Sequence, residues 1–241
     1  MVERVNTDIL LFDLDGTLVK TTIAVEKAFG KLCDKYGLNL DELLKFAHGT
    51  RTTEVLAKKF PMIDNTNEVA TIEFETSIGK DYVEFVSLVP GCFELLNSLQ
   101  TMELNYLNKG SNRWAIVTSG TSQLTHSWFN NILKSINKPE VFITSSDVTK
   151  GKPDPQGYLM AKNLIIKRLN LKNDAKSIVF EDAPVGIQAG VASGSIVVGI
   201  TTAFDKQLLI DAGATYVVSD LSKVKVIKDD INGIELEIDC L

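Results

Sequence analysis

The chain has 241 residues, 44% hydrophobic and 23% charged, which is ordinary globular usage and excludes disordered, fibrous and disulfide-framework classes. A formal net charge of -6 argues against a sequence-independent grip on nucleic acid or an anionic membrane surface. Cys33, Cys92 and Cys240 are scattered without a Cys-x-x-Cys pair, and no apolar run approaches the ~20 residues of a membrane span, so a soluble cytoplasmic protein with reduced thiols is expected.

Residues 1–8 lack the apolar stretch and cleavage site of a signal peptide and read as a direct lead into a first strand at 9–12. Between residues 17 and 90 no buried strand is evident. Amphipathic stretches at 24–36, 40–46, 52–60 and 69–86 predict a helical insertion there, with hinges at 19–21 and 88–91, where Pro90-Gly91 stops one element and starts another. Strand-like runs follow at 114–117, 141–143, 177–180, 196–200 and 215–218, and helical spacing lies between them at 91–99, 124–133, 157–169 and 185–192. Strands apolar on both faces and alternating with helices predict a doubly wound parallel α/β sheet. Residues 224–227 and 234–238 flank Asn232-Gly233, which suggests a closing hairpin. The organisation read from this is an α/β core at 1–18 and 90–241 with a helical cap at 19–89.

The most informative stretch is Asp13-Leu14-Asp15-Gly16-Thr17, directly after the first apolar run. An Asp-x-Asp-Gly-Thr string arises by chance in a chain of this size at about the 10⁻³ level. A helix N-cap and a glycine turn would account for one of its carboxylates, not both. Ligands of open parallel sheets sit outside the carboxyl ends of the strands. The polar residues at those ends, Asp13 and Asp15, Thr118-Ser119-Gly120, Gly151-Lys152-Pro153 and Glu181-Asp182, are therefore expected to converge.

Carboxylates gathered at one point repel unless a cation is shared, and Asp/Glu with water and phosphate oxygens suits Mg²⁺. The expected ligands are Asp13, Asp15 (by side chain or main-chain carbonyl) and Asp182, with Glu181 coordinating directly or through water. Taken alone, Glu181-Asp182 before Pro184 would be a polar helix start. Thr118, Ser119 and Gly120 precede a helix and can present hydroxyl and N–H groups to an anion. Lys152 stands just before Pro153 and Pro155, which rigidify the loop that holds it, and supplies the compensating positive charge.

The ordered set Asp13-x-Asp15-Gly16-Thr17, Thr118, Lys152 and Glu181-Asp182 resembles the four motifs of the haloacid dehalogenase superfamily of aspartate-nucleophile phosphatases. The helical insertion resembles the cap of the subclass that includes β-phosphoglucomutase. His48-Gly49-Thr50-Arg51, Trp114-Ala115-Ile116-Val117-Thr118-Ser119-Gly120, Gly151-Lys152-Pro153-Asp154-Pro155 and the run from Val179 through Ile187 are similar to stretches of fungal 2-deoxyglucose-6-phosphate phosphatases and, less closely, glycerol-3-phosphatases. The resemblance implies that Asp13 is the nucleophile, forming an aspartyl-phosphate, and that Asp15 is the general acid and then base. It implies that Mg²⁺ and Lys152 neutralise the phosphoryl oxygens while Thr118 and the Ser119 N–H complete the cradle. In the cap, Arg51 would hold the substrate, and His48 and Gly49 would shape the loop that faces the core.

The implied activity is Mg²⁺-dependent hydrolysis of small sugar or sugar-alcohol phosphates by a monomer, with glycerol phosphate as the nearest competitor and no nucleic-acid or membrane partner. Dehalogenation would need neither Asp15 nor the ion. A mutase would need a cap histidine as base, where this chain has Val25, and no lysine stands out for a phosphonatase Schiff base. A noncatalytic phospho-ligand-binding protein on the same fold is the alternative of another class.

Overall fold

Ile9, Leu10, Leu11 and Phe12 are all fully buried, and they divide alternately between two cores, as a strand with both sheet faces covered requires. The structure is a computed structural model and describes residues 1–103 and 112–241. From the N-terminus come β1 (Val2–Thr7), β2 (Ile9–Phe12) and β3 (Val19–Lys20), helices α1 (Thr22–Tyr36), α2 (Leu40–Ala47), α3 (Thr52–Lys59) and α4 (Val69–Asp81), and β4 (Ser87–Leu88). The chain continues through α5 (Cys92–Glu103), β5 (Trp114–Val117), α6 (Ser122–Asn130), β6 (Phe142–Ile143), α7 (Gln156–Leu169) and β7 (Ser177–Glu181). It ends with α8 (Pro184–Ala192), β8 (Ile196–Ile200), α9 (Lys206–Asp211), β9 (Tyr216–Val218), β10 (Val224–Asp230) and β11 (Gly233–Asp239).

The expected doubly wound sheet is present, with all neighbours parallel in the order β6-β5-β2-β7-β8-β9. Leu96 and Leu99 of α5 and Trp128 of α6 pack on the face carrying Leu10, Phe12 and Trp114. Tyr158 and Ile165 of α7, Ile187 of α8 and Leu209 of α9 pack on the other, against Leu11, Val117 and Val179. The chain leaves β2 toward β5 and β6 on one side and returns to β7 on the other. Connections therefore diverge around β2, and a crevice opens at its carboxyl end.

Helices α1 to α4 form a layer inserted after β2, with a core of their own around Phe29, Cys33, Leu43, Val55, Leu56 and Phe60. The strands that lead into and out of this layer pair antiparallel, Val19 opposite Leu88 and Lys20 opposite Ser87, so both crossings lie side by side. The stretch at 69–86 is one helix only as far as Asp81; Val83–Phe85 is a 3-10 turn, where β-branched and aromatic residues weaken helix propensity.

The N-terminal segment also differs from expectation. Val2–Thr7 is not a lead-in but the edge of a second, antiparallel sheet of order β1-β11-β10, with Val2 opposite Asp239 and Thr7 opposite Ile234. Its partner lies at the far end of the chain, so no local pattern announces the pairing. All three cysteines are free thiols. Among the described residues no helix is long and apolar enough to cross a membrane.

Candidate active site

Asp13 leaves β2 with its N–H bonded to the carbonyl of Phe180, which fixes its start beside β7. The residue is 5% exposed, and its Oδ1 accepts from Nζ of Lys152 at 2.5 Å. The same ammonium donates to Oε1 of Glu181 at 2.6 Å and to the carbonyl of Val117 at 3.2 Å, so three strands converge on one cation. Glu181 ends β7 rather than following it. Its Oε1 also takes the hydroxyl of Tyr158 at 2.8 Å, and its Oε2 takes the N–H groups of Asp182 and Ala183 at 3.0 and 3.1 Å. Glu181 is thereby tied to Lys152, Tyr158 and the backbone.

Among the described residues, Asp13, Glu181 and Asp182 bring carboxylate oxygens within 4.8 Å of one another. Burial pushes Asp13 up to about 8; Lys152 pulls against that shift and the Glu181 charge adds to it. Burial, then Glu181 and Asp13, raise Asp182 well above the ordinary carboxylate range. Desolvation disfavours the Lys152 ammonium, but Asp13 and Glu181 outweigh it and hold the group charged. One lysine against three buried carboxyls leaves the cluster short of positive charge, and hard oxygen donors at this spacing fit a divalent cation such as Mg²⁺. Gly16 belongs to the same packing: at φ +94° it is left-handed, and a Cβ there would lie 2.0 Å from Oδ2 of Asp182.

Asp15 has different partners. Nε1 of Trp128 donates to its Oδ1 at 2.9 Å, and the Thr118 hydroxyl donates to Oδ2 at 3.4 Å. Burial lifts its pKa to about 6, against the lowering by those two bonds. Thr118 also accepts the N–H of Gly120 at 3.0 Å.

These groups floor a cavity of about 80 Å³, lined from the core by Asp13, Asp15, Thr118, Ser119 and Asp182, and from the helical layer by Val25, His48, Gly49 and Glu75. The Ser119 hydroxyl donates across it to the carbonyl of Gly49 at 2.8 Å. His48 lies edge-on to Phe204, its ring 5.9 Å away, and 3.7 Å from Glu26; burial lowers its pKa, with Glu26 opposing. Arg51 lines a smaller neighbouring cavity with Lys152 and Tyr158 instead. Its guanidinium bonds to Glu54 and to the carbonyls of Val148 and Thr149, both at 3.3 Å, so it straps α3 to the loop before Lys152.

Four groups in or behind the site escape a reading of the sequence. Tyr158 and Trp128 read as helix core, and they are core, but each spends its polar atom on the site. Thr202 donates to the carbonyl of Gly16 at 2.6 Å from a loop with no motif. Glu75 carried a usable signal: it shares the buried face of α4 with Thr71 and Ile78, where a carboxylate is out of place.

The model of a family described as haloacid dehalogenase-like hydrolase matches residues 10–200. The 2-deoxyglucose-6-phosphate phosphatase 1 of Saccharomyces cerevisiae is 50% identical over 235 residues, which covers 97% of this chain and 96% of the yeast protein. Glycerol-1-phosphate phosphohydrolase 1 of the same yeast is 37% identical over 221 residues, covering 90% and 83%. Among solved structures, a hydrolase from Pseudomonas syringae superposes with a TM-score of 0.70 at 23% identity over 89% of this chain and 94% of its own, a likeness of fold.

Proposed function

Because the chain belongs to the haloacid dehalogenase-like hydrolase family, we propose that it is a Mg²⁺-dependent phosphatase of small sugar phosphates that works through an aspartyl-phosphate. Its likeness to named phosphatases of sugar and polyol phosphates supports the substrate class. The observation that carries the mechanism is the division of labour between two carboxyls two residues apart: Asp13 is paired with a buried cation, and Asp15 is held by neutral donors. Lys152 and a divalent cation beside Asp13 favour the ionised form that attack needs, against the burial that raises it, and Asp15, bonded by Trp128 and Thr118, is left to carry the proton.

In this reading an oxygen of Asp13 attacks phosphorus while Asp15 protonates the departing sugar oxygen. Asp15 then takes the proton of the water that hydrolyses the acyl phosphate. Lys152, fixed by Glu181, sets charge against the phosphoryl oxygens, and Thr118 and Ser119 bound the anion from the β5 side. Asp13 and Asp182 and the Asp15 carbonyl would hold Mg²⁺, with Glu181 reaching it through water; the ion supplies the positive charge the cluster lacks. Helices α1 to α4, residues 19–89 in the proposed division, act as the cap. His48 and Gly49 form its rim over the core, and Arg51 fastens it to the Lys152 loop.

Phosphate release with and without Mg²⁺ tests this, across 2-deoxyglucose 6-phosphate, glucose 6-phosphate, sorbitol 6-phosphate, glycerol 3-phosphate and a phosphopeptide, with Asp13→Asn as control. The expected result is Mg²⁺-dependent release from the hexose-type esters, none from the phosphopeptide and none by Asp13→Asn. Preference for glycerol 3-phosphate would move the protein to that specificity. Activity surviving in Asp13→Asn would remove the nucleophile assignment, and no release from any ester would favour a phospho-ligand-binding role.

A further inference from the structure

The cavity above Asp13 is lined by a carboxyl that the proposed reaction does not use. Glu75 is 2% exposed and lines the cavity beside Phe74, Ile78 and Leu124. Its Oε1 accepts the hydroxyl of Thr52 at 2.6 Å from within the helical layer, and its Oε2 accepts the backbone N–H of Thr121 at 2.7 Å from the core. Burial raises its pKa, with the bonds from Thr121 and Thr52 opposing, and among the described residues no lysine or arginine forms an ion pair with it. A carboxyl buried without a cation is costly, and a cavity wall is where such a cost is met by ligand recognition. Two bonds leave a carboxylate with lone pairs to spare, and these can accept hydroxyl groups.

The rest of the lining limits what the ligand presents there. Among the described residues no lysine or arginine lines this cavity, while Asp13, Asp15, Asp182 and Glu75 all do. His48 is shifted toward its neutral form. Lys152 lies behind Asp13, and among the described residues no lysine or arginine at the cap end of the cavity would meet a second anion. Val25, Phe29, Phe74 and Ile78 supply apolar surface instead.

We infer that Glu75 is a specificity residue: it accepts hydroxyls of an uncharged polyol leaving group and repels esters that carry a second anion, such as phosphorylated sugar acids. The inference deepens the sugar-phosphate reading and rests on it.

Sorbitol 6-phosphate and 6-phosphogluconate form the diagnostic pair, since they match in length and differ by a hydroxymethyl against a carboxylate at the far carbon. The kcat/KM ratio of the first to the second is measured for the wild type, Glu75→Gln and Glu75→Asp, each checked for folding by circular dichroism, with p-nitrophenyl phosphate as an ester lacking both features. Glu75→Gln keeps the size of the side chain and an oxygen for Thr121 but removes the charge, so the ratio should collapse by about tenfold or more. Glu75→Asp, which keeps the charge, should retain most of it. If Glu75→Gln lowers both rates in parallel and leaves the ratio intact, Glu75 merely fastens α4 to α6 and the inference is overturned. The wild type alone gives a second reading: inhibition by 6-phosphogluconate with a Ki near the KM of sorbitol 6-phosphate would also overturn it. A wild type that cleaves p-nitrophenyl phosphate but neither sugar ester would sink the sugar-phosphate reading and this inference with it, before any variant is compared.

Discussion

The indole N–H of Trp128 donates to Oδ1 of Asp15 at 2.9 Å, so a fully buried side chain of α6 sets the direction of a carboxyl in the loop after β2. The other oxygen has the weaker bond from Thr118, at 3.4 Å. Trp128→Phe keeps an aromatic ring in the core but removes the donor to Oδ1 of the half-buried Asp15, a loss of about 1 kcal/mol in stability for the hydrogen bond. With Asp15 free to rotate, kcat should fall by about tenfold or more while KM changes little, because proton transfer depends on geometry that ground-state binding does not. Steady-state kinetics on the preferred ester, with thermal unfolding alongside, check both halves.

At Gly49 the helical layer presses closely on the core. At φ +78° it is left-handed, and a Cβ there would stand 2.7 Å from Cβ of Ala183 and 2.9 Å from Cγ2 of Val185, in the segment that follows Asp182. Its carbonyl also receives the Ser119 hydroxyl at 2.8 Å. Gly49→Ala should hold the cap off the core. The expected outcome is a fall of about 10–100-fold in kcat/KM with the fold retained, since closure excludes water and completes the site. Near-wild-type kinetics in Gly49→Ala would mean that this contact is not part of closure.

The core sheet was legible because its strands are short apolar runs such as Ile9–Phe12 and Trp114–Val117, each ending in a polar residue, and parallel sheets bury both faces. Asp13, Lys152, Glu181 and Asp182 followed from the rule that such sheets gather ligands at strand ends. What stayed hidden depends on contacts across long stretches of chain. β1 pairs with β11 at the opposite terminus, and the bonds of Trp128 to Asp15 and of Glu75 to Thr121 join elements whose side chains look like ordinary helix positions. Arg51 shows the limit from the other direction: its position between α2 and α3 gave no sign that its guanidinium would be spent on the carbonyls of Val148 and Thr149.

Glu103, at the end of α5, gives the stability a pH dependence that is separate from the site. Its Oε1 accepts the N–H of Arg113 at 2.6 Å and its Oε2 the amide of Asn112 at 2.9 Å. Burial lifts it to about 7, with Asp229 adding and the two bonds and Arg113 opposing. The folded state therefore keeps this proton to higher pH than the unfolded chain, in which glutamate titrates near 4.3. Between those values the native state binds more protons, so stability falls as pH rises through the window and the penalty is complete above pH 7. A difference of this size corresponds to a penalty on the order of 3 kcal/mol. Urea midpoints at pH 5 and pH 8 should show Glu103→Gln losing less stability than the wild type over that interval, and equal losses would mean that Glu103 does not titrate in it.

Asp182→Asn separates metal binding from catalysis. Burial and the neighbouring Glu181 and Asp13 raise the Asp182 pKa, so in the ion-free protein its charged form is a liability at neutral pH. The amide removes that liability. Without Mg²⁺ the variant should unfold at a temperature equal to or above that of the wild type. With Mg²⁺ at 100 times its dissociation constant, the wild type should gain about 2.7 kcal/mol, the linkage expected for an ion that binds only the folded state. The variant should gain little, since Asp13 then offers a carboxylate beside an amide. The two melting curves would therefore exchange order on adding the ion. Equal Mg²⁺-induced shifts in both proteins would show that Asp182 is not a ligand, and a shift in neither would show that the cluster of Asp13, Glu181 and Asp182 does not hold Mg²⁺ in the free enzyme.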